Sequence, residues 1–379
     1  NRILYFETSR GCPFQCQYCL SSLEKGLRFF SKTYLEKQLD IVIHSGAKTV
    51  KLLDRSFNAS VQHALFILDY LFRNYQEGQQ FQFEINADVF ADELVDFINN
   101  YAPKGLLRFE VGIQSTHEPT NRAVKRMQNL TRLCEVVKKL MAGGKCDLHL
   151  DLIAGLPYES YERFAQSFDE VFQFRAKELQ LGFLKLLRGT SLRIEASAFG
   201  YVYDENPPYE MTSNHWLGQE EIQKIHQAED MLEKYWNSGR FSLSMNAIMD
   251  DEVSAFDFFY RLSCFYQTHG YQMLGYQLFD LFKCLNEFTE GKYFDLLLQD
   301  YLKHYKTRPK RWYEPTMSQQ ERQTVIACLV EKQLYTQDLL YRYAYLEKIQ
   351  QGYLVAIYKD MRCQLDIISW EVLENDGSR

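Results

Sequence analysis

The feature that most constrains how this chain can fold is an alternation of strand-like and helix-like segments across residues 1–186. Strands are predicted at 3–8 (ILYFET), 49–53 (TVKLL), 81–86 (FQFEIN), 106–113 (LLRFEVGI), 148–153 (LHLDLI) and 178–185 (ELQLGFLK). Between them run helical patterns. Ser31 can cap a helix reaching about Ser45 and ending at Gly46, with Leu35, Leu39, Val42 and Ile43 at helical spacing. Asn58 is expected to cap a helix towards Tyr75, and further helices are expected at 90–101, up to Met141, and at 159–174. Six such units predict an α/β fold with a parallel sheet and right-handed crossovers. The count suits an incomplete (β/α)6 TIM-like barrel better than the full eight units.

The pattern changes after Leu192. Residues 193–216, with Asn206-Pro207-Pro208, read as a linker between a barrel domain at 1–192 and a mostly helical domain at 217–379. Amphipathic segments at 219–236, 251–266, 292–305 and 319–331 support the latter; strand patterning returns only at 353–358 and 363–368. Aromatics make up 15% of the chain, many of them in the second half, where they are expected to pack helices. Net charge is −7, so no overall basic field argues for nucleic acid. The one basic stretch, 303–311 (KHYKTRPKR), reads as a solvated helix end and turn rather than a phosphate site. No apolar run approaches the ~20 residues a membrane span needs. The start has no signal-peptide pattern, and a cytoplasmic location is expected. Because Asn1 leads straight into a strand, the chain is expected to be a fragment of a longer protein. Nine cysteines, an odd number and mostly scattered, fit a reducing compartment.

Three of those cysteines are clustered. The loop after the first strand reads Gly11-Cys12-Pro13-Phe14-Gln15-Cys16-Gln17-Tyr18-Cys19. Three thiolates on one short loop can hold three irons of a cubane cluster and leave the fourth open. A structural zinc site would want a fourth Cys or His near by, and there is none. The loop leaves the carboxyl end of strand one, where parallel sheets gather their ligand sites.

This C-x3-C-x2-C arrangement, with aromatic Tyr18 before its last cysteine, resembles the cluster loop of the radical S-adenosylmethionine superfamily. The resemblance covers about the first half of the chain. It implies a [4Fe-4S] cluster on Cys12, Cys16 and Cys19, whose open iron chelates the methionine moiety of S-adenosylmethionine. It further implies reductive cleavage of that cofactor to a deoxyadenosyl radical that abstracts hydrogen from a substrate. On the same footing, other residues are candidates for binding the cofactor. Asp54 stands at the end of strand two, where it is alternatively a structural turn residue. Glu84 and Asn86 share one face of strand three, which either faces the cofactor or is solvated. Glu110 and Gln114 share a face of strand four, and Gln114-Ser115 matches a segment expected near the ribose or the carboxylate. Arg122 and Arg126 follow four residues apart; one is a candidate for the carboxylate, although solvated helix arginines are the commoner case. Gly155, in Ile153-Ala154-Gly155-Leu156-Pro157, would let backbone approach the adenine.

The strand-six segment Lys185–Thr190, Asp54 and the helical tail resemble a bacterial branch with an upstream cobalamin-binding domain. That resemblance implies use of cobalamin, with methyl transfer among the candidate reactions. The alternatives are a cobalamin-independent enzyme similar to the oxygen-independent coproporphyrinogen oxidases, and a tRNA-modifying methylthiotransferase. A helical tail and negative charge weigh against the latter. The expected partners are a small-molecule substrate and a reductant such as flavodoxin or ferredoxin, with no membrane.

Overall fold

The computed structural model describes residues 2–374; Asn1, on which the expectation of a fragment rests, lies outside them. Six strands form one parallel sheet in chain order: β1 (Ile3–Phe6), β2 (Thr49–Leu52), β3 (Gln80–Ile85), β4 (Leu107–Gln114), β5 (Cys146–Ala154) and β6 (Glu178–Phe183). Helices follow the strands: α1 (Lys32–Ile43), α2 (Val61–Asn74), α3 (Asp92–Tyr101), α4 (Glu118–Ala123), α5 (Leu130–Gly143) and α6 (Tyr161–Phe172). The strand order leaves β1 and β6 as free edges, so this is the expected partial barrel rather than a closed one.

Local chemistry sets the boundaries. Side chains of Ser31, Ser60, Asn129 and Ser160 accept backbone N–H groups at the starts of α1, α2, α5 and α6. Ser60 takes the capping role expected of Asn58. Asn58 is buried instead, its amide exchanging two hydrogen bonds with the backbone of Asn86 at 2.8 and 3.0 Å. Apart from the short α4, these helices bury an apolar stripe, such as Leu133, Val136, Val137 and Leu140 on α5.

A short antiparallel hairpin, Ser9–Gly11 with Leu27–Phe29, closes the base of the cysteine loop. Gly11 has φ +94°, and a Cβ there would lie 2.1 Å from the Gly26 carbonyl oxygen, so glycine is required.

The boundary between two compact units falls after Glu229, inside the helix α7 (Gln219–Leu232). The segment 193–216, expected as a linker, carries short elements of its own. Val202–Tyr203 pairs with Met211–Ser213, and the Asn206-Pro207-Pro208 stretch lies in the turn between them. Lys185 bridges Glu210, and Met211 N donates to Leu184 O at 3.0 Å.

The second unit is helical with a small sheet. Its helices are α8 (Ser242–Asp251), α9 (Ala255–Thr268), α10 (Leu278–Phe288), α11 (Phe294–His304), α12 (Gln319–Glu331) and α13 (Gln337–Tyr343). Asp300 of α11 caps α8, accepting from Leu243 N, Ser244 N and the Ser244 hydroxyl. Strands β7 (Ala344–Ile349), β8 (Gly352–Lys359) and β9 (Arg362–Ser369) form an antiparallel meander. Val325, Ile326, Leu329, Leu340, Leu346 and Val355 pack between this sheet and its helices. No helix among the described residues is long and apolar enough to cross a membrane.

Candidate active site

The two faces of the six-stranded sheet differ in kind. On β4, Leu107, Phe109, Val111 and Ile113 are buried, while Arg108, Glu110, Gly112 and Gln114 alternate with them on the other face. The parallel register sets Glu84 beside Glu110, Glu110 beside His149, and Gly112 beside Asp151. A polar floor results. Lys51 Nζ donates to both oxygens of Glu110, at 2.9 and 2.7 Å. Arg108 grips Glu178 through two nitrogens at 3.0 and 2.7 Å, and its Nη2 lies 2.5 Å from His149 Nδ1. Arg55 Nη1 stands 3.6 Å from Glu84 Oε1.

Above this floor lies a cavity of about 300 Å³. The loop contributes Cys12, Cys16, Tyr18 and Cys19 to its wall. The strand ends contribute Glu84, Asn86, Glu110 and Gln114, all expected from the sequence. Arg55, Arg126 and Asp151 complete the polar wall.

Arg126 links the loop to the sheet. Its Nη1 lies 3.7 Å from Cys16 Sγ and 3.5 Å from the Tyr18 hydroxyl; its Nη2 donates to Asn86 Oδ1 at 3.2 Å and to the Gly112 carbonyl. Asn86 is held in turn by its amide nitrogen on Ser56 Oγ at 2.9 Å. Four residues after Arg122, Arg126 does not share its helix face. Helix α4 ends at Ala123, and Lys125 at φ +55° turns the chain inward.

Burial and neighbouring charge tune the wall. Burial first, then Glu110 and Glu84, push the Asp151 carboxyl up to about 8, with Lys51 and Arg108 opposing. Glu84 is also raised, chiefly by burial, with Arg55 and Lys51 opposing. His149, whose Nε2 lies 3.2 Å from Asp151 Oδ1, is lowered by burial and by Arg108. Burial holds the Tyr18 phenol un-ionised.

Three expected site residues do not line the cavity. Asp54 is fully buried and accepts from Thr8 N at 3.0 Å, Thr8 Oγ1 at 2.6 Å and Ser9 Oγ at 2.5 Å. It therefore clamps the stem of the cysteine loop to the end of β2. Arg122 makes an exposed i, i+4 ion pair with Glu118. Gly155, at φ +94°, faces Met211, whose sulfur a Cβ would meet at 2.0 Å. Its carbonyl accepts from Tyr201 Oη at 2.9 Å and Asn214 Nδ2 at 3.0 Å.

Comparison with known proteins places this geometry. Residues 6–171 match the family model of the radical SAM superfamily, an interval that contains the cysteine loop and five of the strand ends. The match marks the chain as an enzyme. Residues 197–365 match a second model, described as a protein of unknown function (DUF4080). No curated protein matches the chain. Among solved structures, the radical S-adenosylmethionine methyltransferase TsrM from Kitasatospora setae is 16% identical, with a TM-score of 0.47, covering 55% of this chain and 42% of its own. Coproporphyrinogen III oxidase (HemN) from Escherichia coli is 16% identical, with a TM-score of 0.42, covering 60% and 51%. Streptococcus suis SuiB is 12% identical, with a TM-score of 0.41, covering 50% and 42%. The match thus spans about half of each of these proteins or less.

The residues of the interval 6–171 fit the cofactors that its resemblance implies. Cys12, Cys16 and Cys19 are free thiols on one loop, with the Arg126 guanidinium 3.7 Å from the Cys16 sulfur. Among the described residues no three His, Cys, Asp or Glu side chains gather round a single ion. A cubane asks for no such point, because each thiolate takes a different iron. Gln114 Oε1 and Arg126 Nε are buried at the cavity without hydrogen-bond partners among the described residues, polar groups that a polar ligand would satisfy.

Proposed function

We propose that this enzyme holds a [4Fe-4S] cluster on Cys12, Cys16 and Cys19 and S-adenosylmethionine in the adjoining cavity, and acts on a small-molecule substrate. The observation that carries the reading is the meeting, in one cavity, of three free thiols with the polar strand ends Glu84, Asn86, Glu110 and Gln114. When bound, the cluster and S-adenosylmethionine together supply one-electron, hydrogen-abstracting chemistry.

The chain's own residues orient and tune that chemistry. Arg126 places positive charge against the Cys16 sulfur and fixes Asn86 at the rim. Gln114, held at φ +70° where the β4–β5 register shifts, presents an unsatisfied amide oxygen for a ligand hydroxyl or ammonium. Glu110 is anchored by Lys51, while Asp151, pushed up to about 8 chiefly by burial, is placed to give or take a proton at the substrate.

Electron supply from a flavodoxin or ferredoxin belongs to the same proposal. So does use of cobalamin carried on another domain, with methyl transfer as the reaction; this finer part is supported by the sequence resemblance of Lys185–Thr190 and the Asp54 strand end. Anaerobic reconstitution with iron and sulfide tests the core of the reading. The expected product carries four irons per chain, cleaves S-adenosylmethionine when reduced, and loses both properties in a Cys12→Ala, Cys16→Ala, Cys19→Ala variant. A reconstituted chain that never cleaves the cofactor sinks it. Corrinoid binding by the full-length protein tests the cobalamin part separately.

A further inference from the structure

We propose that the C-terminal unit carries a binding site for a phosphate-bearing small molecule, built by Arg308, Arg311 and Arg322 around the start of β7. The basic stretch 303–311 is the largely exposed helix end and turn expected from the sequence, but two of its arginines lean on the small sheet. Arg308 Nη2 donates to the Ala344 carbonyl at 2.7 Å, and Arg322 Nη2, from α12, reaches the same oxygen at 3.4 Å. Arg308 and Arg311 both lie over the Tyr345 ring, at 5.3 and 5.0 Å from its centroid. Two residues of one loop and one of a neighbouring helix thus bring three guanidinium groups to a single strand end.

Their charges are not balanced. The carboxylate at the cluster, Glu347, is fully buried and fully used. Its Oε1 accepts from Arg311 Nε and Nη2 at 3.0 and 2.7 Å, and its Oε2 from Thr316 N and Oγ1 at 3.3 and 2.6 Å. Among the described residues, Arg308 and Arg322 have no carboxylate at ion-pair distance. The field this leaves is felt by Arg322, which is pushed below the ordinary arginine value by burial and then by Arg308 and Arg311, with Glu347 opposing.

Two unpaired positive charges side by side match a dianion. Each guanidinium has five N–H donors in a planar fork, and the Ala344 carbonyl uses only one from each. The remaining donors suit the oxygens of a phosphate better than a single point charge would. Stacking on Tyr345 holds two of the forks in place before any ligand arrives. The cluster is compact and the chain's net charge is −7, so one phosphate group, rather than a nucleic-acid backbone, is the ligand it fits.

The test is calorimetric titration of the purified full chain with inorganic phosphate and with pyrophosphate, at ionic strength held constant with sodium chloride. Saturable binding of both is expected. Arg308→Gln with Arg322→Gln is expected to weaken it by about tenfold or more, equivalent to about 1.4 kcal/mol. Arg308→Lys with Arg322→Lys, which keeps the charge and loses the forks, should fall between. Circular dichroism checks the fold, and the single Arg308→Gln and Arg322→Gln variants serve if the double does not fold. The site is overturned if phosphate gives only the heat of chloride, or if the glutamine variants bind as the unaltered chain does. The triple cysteine variant is expected to bind phosphate normally, so failure here and failure of the cluster reading are seen independently.

Discussion

The two faces of the six-stranded sheet are made by the same strands and differ in almost every physical respect. One carries Phe81, Phe83, Leu107, Phe109, Leu148 and Leu150, none more than 3% exposed, under the helices. The other carries Lys51, Glu84, Arg108, Glu110, His149 and Asp151, linked by ion pairs and opening on the cavity. A single residue step along a strand separates a group that holds the fold from one that faces ligand. Stability and chemistry are therefore addressable separately, and substitutions on the two faces should have different signatures.

The largest expected effect is on the ligand side. Replacing Cys12, Cys16 and Cys19 by Ala should abolish iron uptake, read by iron and sulfide content, while changing the stability of the metal-free chain by less than about 1 kcal/mol. Next comes the buried face. Phe109→Ala should cost about 3–5 kcal/mol in urea unfolding, with iron per folded molecule unchanged; loss of iron at low temperature would break the separation. Lys51→Met is intermediate, because it strands Glu110 beside Glu84 and Asp151. A cost of about 1–3 kcal/mol is expected, and Glu110→Gln in the same chain should recover part of it.

Asp151→Asn gives the most specific change, one read from the pH dependence rather than from any one pH. The folded carboxyl sits at about 8 against an ordinary 3.8, so between those values the folded chain holds a proton that the unfolded chain has lost. Its contribution to stability therefore falls as pH rises through that window, by at most about 1.4 kcal/mol per pH unit. Unfolding measured across the window should show this slope in the unaltered chain and not in the Asn variant. Equal slopes would mean that Asp151 is ionised throughout.

Much of this was legible in the sequence where a short-range pattern carried it. Period-two alternation put Glu84, Asn86, Glu110 and Gln114 on one face, and the cysteine spacing named its loop outright. What escaped was set by long-range contact or by a local break in regularity. Arg122 and Arg126 look equivalent at helical spacing, yet the helix ends between them and only Arg126 reaches the cavity. Asp54 resembles a ligand residue until Thr8 and Ser9, some 46 and 45 residues away, supply its three hydrogen bonds. Asp151 is not legible in the sequence, because the burial that raises it, and after that Glu110 and Glu84 on other strands, come only with the fold. The strand Ala344–Ile349 was missed as well, and with it the partner on which Arg308 and Arg322 settle.

The stem of the cysteine loop is fastened from several sides. The Ser9–Gly11 and Leu27–Phe29 ladder closes it, Asp54 grips Thr8 and Ser9, and Gln17 exchanges backbone bonds with Val124 and Leu192 at 2.9 and 3.1 Å. None of these ties involves a thiol. A cluster destroyed by oxygen would thus leave behind a vessel that keeps its shape, and refilling it would require little new ordering of the chain.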